Sequence, residues 1–215
     1  MPMTLKVNEI FESLQGESSY AGFPCLFIRL TGCNLRCSWC DTKYSYEEGK
    51  EMQADEIISL INSSKTGLIE FTGGEPLLQK EELIKVINGI DSLKTILIET
   101  NGSISLRDIP ERVVKIMDIK LSGSGEGKSF LVDNLNYLTK IDEIKFVLRD
   151  IYDYNEFMEY YTKYQLGEKC VILVSKVKDS VMTDREIAEM IIRDGLKVKY
   201  QIQLHKYIWN EERGR

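Results

Sequence analysis

Residues 26–42 read LFIRLTGCNLRCSWCDT, a short apolar run passing directly into a loop that carries three cysteines. Leu26–Leu30 has the composition of a buried strand, and Thr31 opens the loop, so the reactive residues hang from the carboxyl end of a strand. Runs of the same kind recur at Leu68–Thr72, Thr95–Glu99, Val113–Lys120, Glu143–Leu148 and Cys170–Val174. Helical periodicity fills the intervals near Ala54–Ser63, Lys80–Gly89, Asn134–Lys140, Tyr154–Gln165 and Asp184–Arg193. Thr183 followed by Glu186 reads as a capping box opening the last of these. This strand–helix alternation predicts parallel strands joined by helical crossovers. Two further extended runs, Leu5–Glu12 and Lys197–Leu204, lie at the ends. The strands are too few to close an eight-stranded barrel. The expected fold is therefore α/β, an incomplete (β/α)6-type partial TIM barrel with extra terminal strands. In such sheets the working loops leave the carboxyl ends of the strands, where the cysteine loop falls.

A chain of 215 residues is expected to form one domain, 1–215, around a single core. The net charge of −6 offers no basic footprint, so neither nucleic acid nor an anionic membrane is an expected partner. The opening MPMTLKVNEIF lacks the apolar run of a signal peptide, and no stretch reaches the length of a membrane span. The expected location is cytoplasmic. Five cysteines, three of them between positions 33 and 40, make a poor disulfide framework in a reducing compartment and point to a metal or cluster.

Cys33, Cys37 and Cys40 have the spacing C-x3-C-x2-C. Three thiolates on one loop can hold three irons of a [4Fe–4S] cubane. The fourth iron then keeps an open coordination position, as catalytic metal centres do. A zinc loop is the competing reading. It would need His205, Cys25 or Cys170 as fourth ligand, and the spacing lacks a second cysteine pair.

The loop resembles the signature of the radical S-adenosylmethionine superfamily, in which an aromatic residue, here Trp39, precedes the last cysteine. The resemblance implies that the methionyl amine and carboxylate of S-adenosylmethionine chelate the open iron. One electron then splits the sulfonium to give a 5′-deoxyadenosyl radical. The resemblance extends to EFTGGEP, Glu70–Pro76, where the family holds the methionyl amino group. Gly73 and Gly74 allow close backbone approach to a ligand, and Glu75 could accept a hydrogen bond from an ammonium. Further cofactor contacts are implied at Lys120, Leu121 and Ser122, and at Ser175, where Ser175-Lys176 replaces a family Gln-Pro segment.

The two ends of the chain, EIFESLQGESSYAGFPCLFIRLTGCNLRC and QIQLHKYIW, resemble the 7-carboxy-7-deazaguanine synthase family. That resemblance implies a carbon–nitrogen lyase acting on 6-carboxy-5,6,7,8-tetrahydropterin in queuosine and deazapurine biosynthesis. Hydrogen is taken from C6, the ring contracts and ammonia leaves. The family is a homodimer that needs Mg²⁺ and an electron donor such as flavodoxin or ferredoxin. The implied substrate residues are Leu14, Gln15, Gly16, Glu17, Arg29, Thr72 and His205. The implied Mg²⁺ ligand is Thr42, together with the substrate carboxylate.

The residue chemistry agrees in part. Gln15, the Gly16 backbone and Glu17 can meet the donors and acceptors of a pterin edge, and an arginine fork at Arg29 suits a carboxylate. Read alone, Gln15–Glu17 is a solvated turn, Thr42 a loop cap beside a better metal ligand in Asp41, and a lone His205 near a strand end a structural residue. An activating enzyme that makes a glycyl radical on a partner protein would share the cysteine loop. The Gln-Gly-Glu, the Arg29 strand and the His-Lys ending favour the small-molecule enzyme. An electron carrier would fill all four iron positions with protein ligands. Tyr152, Tyr154, Tyr160, Tyr161 and Tyr164 predict a helix face packed inward or against a partner subunit.

Overall fold

A single sheet organises the chain in this computed structural model, which describes residues 3–215; Met1 and Pro2 of the opening segment lie outside the described residues. Its strands are β1 Thr4–Leu14, β2 Pro24–Leu30, β3 Lys50–Gln53, β4 Leu68–Gly73, β5 Thr95–Thr100, β6 Val113–Asp118, β7 Glu143–Leu148, β8 Val171–Lys176 and β9 Lys199–Tyr200. The helices are α1 Ala54–Ser63, α2 Lys80–Gly89, α3 Ile151–Lys163, α4 Asp184–Arg193 and α5 Leu204–Trp209. The strand order is β3-β1-β2-β4-β5-β6-β7-β8-β9. Strand β1 runs antiparallel to β2 and β3, and every pair from β2 onward is parallel. The result is an α/β fold built on a mostly parallel sheet. No helix of the described residues is long and apolar enough to cross a membrane.

Period-two alternation assigns the two faces. Leu26, Ile28 and Leu30 of β2, Ile69 and Phe71 of β4, and Ile144, Phe146 and Leu148 of β7 enter the main core with the helices. The opposite face carries a small apolar floor of Cys25, Phe27, Leu68, Leu97, Val114 and Ile116. Beyond that floor, toward the carboxyl ends of the strands, the same face presents Arg29, Glu70, Thr72, Glu99, Asp118, Lys145 and Ser175. Burying charge is unfavourable unless it is paired. A charged wall above an apolar floor therefore marks this face as the working one.

The expected capping box forms: Thr183 Oγ1 accepts from Glu186 N, and the Glu186 side chain caps the Thr183 N–H. The expected helix at Asn134–Lys140 does not form, and only a 3-10 turn spans Val132–Asn136. Asn134 explains this. Its amide donates to Gly102 O (3.0 Å) and Ile104 O (2.9 Å) and accepts from Leu106 N (2.9 Å), pinning the segment to a distant loop. The β6–β7 crossover consequently lacks an α-helix, the β5–β6 crossover has none either, and the expected sixfold strand–helix alternation is incomplete.

Lys197–Leu204 is likewise not one strand. After two residues of β9 the chain leaves the sheet edge, because Leu204 N donates to Gly16 O (2.9 Å) and Ser18 N to the Gln201 side chain (2.9 Å). Strand β3 was not expected, being four residues long with one buried position, Met52. Of the tyrosine group, Tyr154 is buried and Tyr160, Tyr161 and Tyr164 pack on the core, whereas Tyr152 is 78% exposed and belongs to no inward face.

Candidate active site

A cavity of about 760 Å³ opens over the carboxyl ends of the parallel strands, a size suited to small molecules and cofactors. All the expected site residues line it except Glu75, Leu121 and Ser122.

The cysteine loop forms one side. It is fastened by Gly32 N to Ser45 O (2.9 Å), Ser38 N to Ser124 O (2.9 Å) and Arg36 N to the Glu126 carboxylate (2.6 Å). Gly74 passes so close that a Cβ there would lie 2.7 Å from Cys33 Cβ and 2.2 Å from Gly32 O. Gly73, at φ +148°, would place a Cβ 2.2 Å from Leu30 O. Both positions require glycine. Burial raises the Cys33 and Cys37 thiols, Cys37 to about 11, and each is raised further by its neighbouring cysteines. Three thiolates this close repel one another, so the site calls for bound cations, which iron would supply. Among the described residues no fourth His, Cys, Asp or Glu joins the three loop cysteines as a tight metal-ligating group. The donor set fits a multinuclear cluster.

Glu75 departs from expectation. It is fully buried, with Oε1 accepting from Leu77 N (2.9 Å) and Thr100 Oγ1 (2.8 Å) and Oε2 from Asn101 N (2.7 Å). Its carboxylate, spent on Leu77, Thr100 and Asn101, staples the Gly-Gly loop to the end of β5 and does not itself line the cavity. Leu121 is buried in the helix-side core, and Ser122 N donates to Glu156 (2.8 Å). The chain turns away after Lys120, so neither residue lines the cavity. Lys120 does, paired with Asp118 Oδ2 at 2.8 Å.

Glu75 carries a stability prediction. Burial lifts its carboxyl to about 7 from an ordinary 4.5, against the pull of its hydrogen bonds. The folded state therefore holds this proton over a range where the unfolded state has lost it. Its contribution to stability is full below pH 4.5 and is lost as pH rises through about 7. Glu75→Gln removes that dependence and sets an amide N–H against one of three donors, at a cost of about 1–3 kcal/mol. Urea melts of the cluster-free protein across this range measure both effects, and identical pH slopes would refute the assignment.

The opposite side joins the two ends of the chain. Gln15 is 4% exposed, so Gln15–Glu17 is not a solvated turn. Its amide donates to Glu70, and its carbonyl accepts from Glu17 N (2.8 Å). Gln203 donates to Glu17 (2.8 Å), and a Cβ on Gly16 would lie 1.9 Å from His205 Nδ1. His205 is thus in the first turn of α5, packed on Gly16, and not at a strand end. Burial lowers its pKa.

Lys145 occupies the centre and was not anticipated. Its ammonium lies 2.5 Å from Glu17, 2.8 Å from Glu99 and 3.9 Å from Asp118. Burial opposes its charge, but these carboxylates hold its pKa well above the usual lysine value. The same pairing lowers Glu17 despite burial, whereas burial, Glu99 and Glu17 raise Glu70 well above the carboxylate range. The signal lay in strand phase. Lys145 falls between the core residues Ile144 and Phe146, on the cavity side. Lys115 of β6 falls on the helix side, where it pairs with Asp142 at 3.1 Å.

Arg29 reaches the cavity with Nε held by Glu9 at 2.7 Å, and among the described residues its two terminal nitrogens make no hydrogen bond. Thr72 Oγ1 donates to Glu99 (3.3 Å). Thr42 lies beside Cys40, Oγ1 to Sγ 3.8 Å, while Asp41 is engaged by Lys206 at 2.8 Å and is no free metal ligand.

Residues 27–127 match the Radical SAM superfamily. The 7-carboxy-7-deazaguanine synthase of Koribacter versatilis is 41% identical over 222 residues, spanning 97% of this chain and 98% of its own. That of Thermoplasma acidophilum is 40% identical over 210 residues, spanning 97% and 99%. The crystal structure of QueE from Escherichia coli matches with a TM-score of 0.71 at 25% identity, covering 93% of this chain and 94% of that one. With both terminal motifs gathered on one cavity and identity of this order along nearly its whole length, the chain belongs to the 7-carboxy-7-deazaguanine synthase family of the radical S-adenosylmethionine superfamily.

Proposed function

We propose that this chain converts 6-carboxy-5,6,7,8-tetrahydropterin to 7-carboxy-7-deazaguanine with loss of ammonia. The observation that carries this reading is the convergence of Gln15–Glu17, Arg29, Lys145 and His205 on the cavity that also holds the cysteine loop. Cys33, Cys37 and Cys40 would ligate a [4Fe–4S] cluster, which when bound supplies the electron that cleaves S-adenosylmethionine. The Gly73–Gly74 backbone, with no side chain in the way, would receive the methionyl group, and Trp39, Lys120 and Ser175 would border the cofactor. The buried Glu75 would act there through the loop it staples. Lys145 keeps Glu17 ionised, so that its carboxylate can accept from pterin N–H groups. The free edge of Arg29 would take the substrate carboxylate as a bidentate partner. A neutral His205 Nδ1 or Nε2 could accept from or donate to the substrate, and Leu14, Gly16 and Thr72 would shape the pocket.

Residues 1–215 would form one domain whose sheet curves as an incomplete barrel, since one face lines a cavity and the edge strands β3 and β9 do not pair with each other. We place it in the cytoplasm as a homodimer reduced by a flavodoxin or ferredoxin, with no nucleic-acid or membrane partner.

Thr42 would bind Mg²⁺ jointly with the substrate carboxylate, since a hard cation prefers oxygen ligands and keeps substrate and water in its shell. Thr42→Ala should raise the Mg²⁺ concentration needed for turnover and leave cluster assembly intact, with Thr42→Ser milder. Superimposable Mg²⁺ titrations would remove Thr42 from the metal site. The functional reading itself is tested by adding the carboxypterin to reduced enzyme and S-adenosylmethionine. Cofactor cleavage should accelerate; indifference to the pterin would favour a protein substrate, as in the glycyl-radical activating enzymes.

A further inference from the structure

The chain does not end at α5. Residues 210–215 continue across the cavity mouth, where Glu211 and Arg215 line it. Glu211 pairs with Lys178, on the loop after β8, at 2.8 Å. Arg213 reaches the other side, near β1. Its guanidinium lies 3.8 Å from the Tyr44 ring centroid and donates to Glu9 Oε2 (3.2 Å), Glu48 (3.2 Å) and Asn8 (3.3 Å). Glu9 spends its other oxygen on Arg29 Nε (2.7 Å) and the Tyr44 hydroxyl (2.9 Å). Two arginines thus share one carboxylate and one aromatic ring, one from the strand at the cavity wall and one from the tail.

We propose that Arg213 is a positioning residue: by seating the tail on Glu9 and Tyr44 it fixes the plane of Arg29, and so tunes recognition of a carboxylate on the ligand. This rests on the functional reading above, in which Arg29 meets the substrate carboxylate. The arrangement suits an opening strap. No residue of helix α5 is fully buried, and Arg213 is 47% exposed at its side chain, so beyond α5 polar contacts and one stacked ring hold Arg213 at the mouth. Its planar, multidentate contact is one that a lysine cannot reproduce in full. Without Arg213, Glu9 keeps Arg29 Nε and the Tyr44 hydroxyl on Oε1 but loses the partner of Oε2, so its carboxylate gains freedom to turn about the held oxygen.

The test measures binding of two probes, pterin-6-carboxylate and unsubstituted pterin, to the reconstituted enzyme as wild type, Arg213→Ala and Arg213→Lys. The alanine variant should bind the carboxylated probe about tenfold more weakly, within the range by which residues in one ion-pair network couple, and bind the plain pterin as the wild type does. KM for the substrate should rise by a similar factor with kcat nearly kept, and lysine should restore part of the loss. Equal weakening toward both probes, or none toward either, overturns the inference while leaving the functional reading standing. A wild type that binds neither probe overturns both.

Discussion

Cys37→Ala is expected to lose the cluster and every activity that depends on it. Cys37 is the middle one of three thiols on a loop that offers no substitute, and it is the proposed central ligand. The remaining cysteines sit elsewhere: Cys25 is fully buried in the apolar floor, and Cys170 is buried just before β8. Burial pushes both thiols up, Cys170 to about 12, so neither is disposed to act as a thiolate. Iron content and the visible absorption of the reconstituted protein should fall to background in Cys33→Ala, Cys37→Ala and Cys40→Ala alike. Cys25→Ala and Cys170→Ala should keep both, with at most a modest stability loss from a small cavity. A Cys37→Ala protein that retains a full complement of iron would mean that the loop is not the cluster site.

The second large effect belongs to Lys145→Met. Methionine matches the length of the stem but leaves Glu17, Glu99 and Asp118 facing one another around an apolar tip. Removing one partner from a buried ionic cluster costs about 3–5 kcal/mol, because charge is stranded without compensation. Stability should drop by that order at neutral pH. The deficit should shrink under acid. Glu17 is depressed in the wild type mainly by Lys145, so its contribution is present above its unfolded value of 4.5 and is lost as pH falls through its folded value. Below that range the two proteins converge. Substrate affinity should fall with Glu17 displaced, whereas cluster assembly, on the other side of the cavity, should survive. Lys145→Arg keeps the charge and should fall between. Equal urea midpoints and equal KM for wild type and Lys145→Met would show that the cluster of charges is neither structural nor part of the pocket.

Lys145 also shows where sequence reading stops. Its strand was legible from residues 143–148, since alternation and β-branched content are local properties. Its role required knowing that β7 lies beside β6 with Asp118 opposite Lys145, a register that no local pattern contains. Lys115 looks the same in sequence and is a structural ion pair. Helices α1, α2 and α4 were legible for the same local reason, Thr183 and Glu186 supplying a capping box. The absent helix at 134–140 was not, because Asn134 bonds to backbone some 30 residues away. The Cys loop and the Gly73–Gly74 turn were legible as motifs, but motif position alone could not tell that Glu75 is fully buried and spent on Leu77, Thr100 and Asn101. Similarly, the Gln-Gly-Glu and His-Lys segments were legible as ends of one family pattern. That Gly16 is glycine because His205 packs on it needed the fold.

The proposed activity is ring contraction of a carboxypterin in this one cavity. Its most direct test is anaerobic incubation of the reconstituted enzyme with S-adenosylmethionine, reductant, Mg²⁺ and 6-carboxy-5,6,7,8-tetrahydropterin, followed by mass analysis. A product with the mass and fragmentation of 7-carboxy-7-deazaguanine is expected, accompanied by ammonia. Recovery of the pterin intact, from enzyme that cleaves its cofactor under the same conditions, would contradict it.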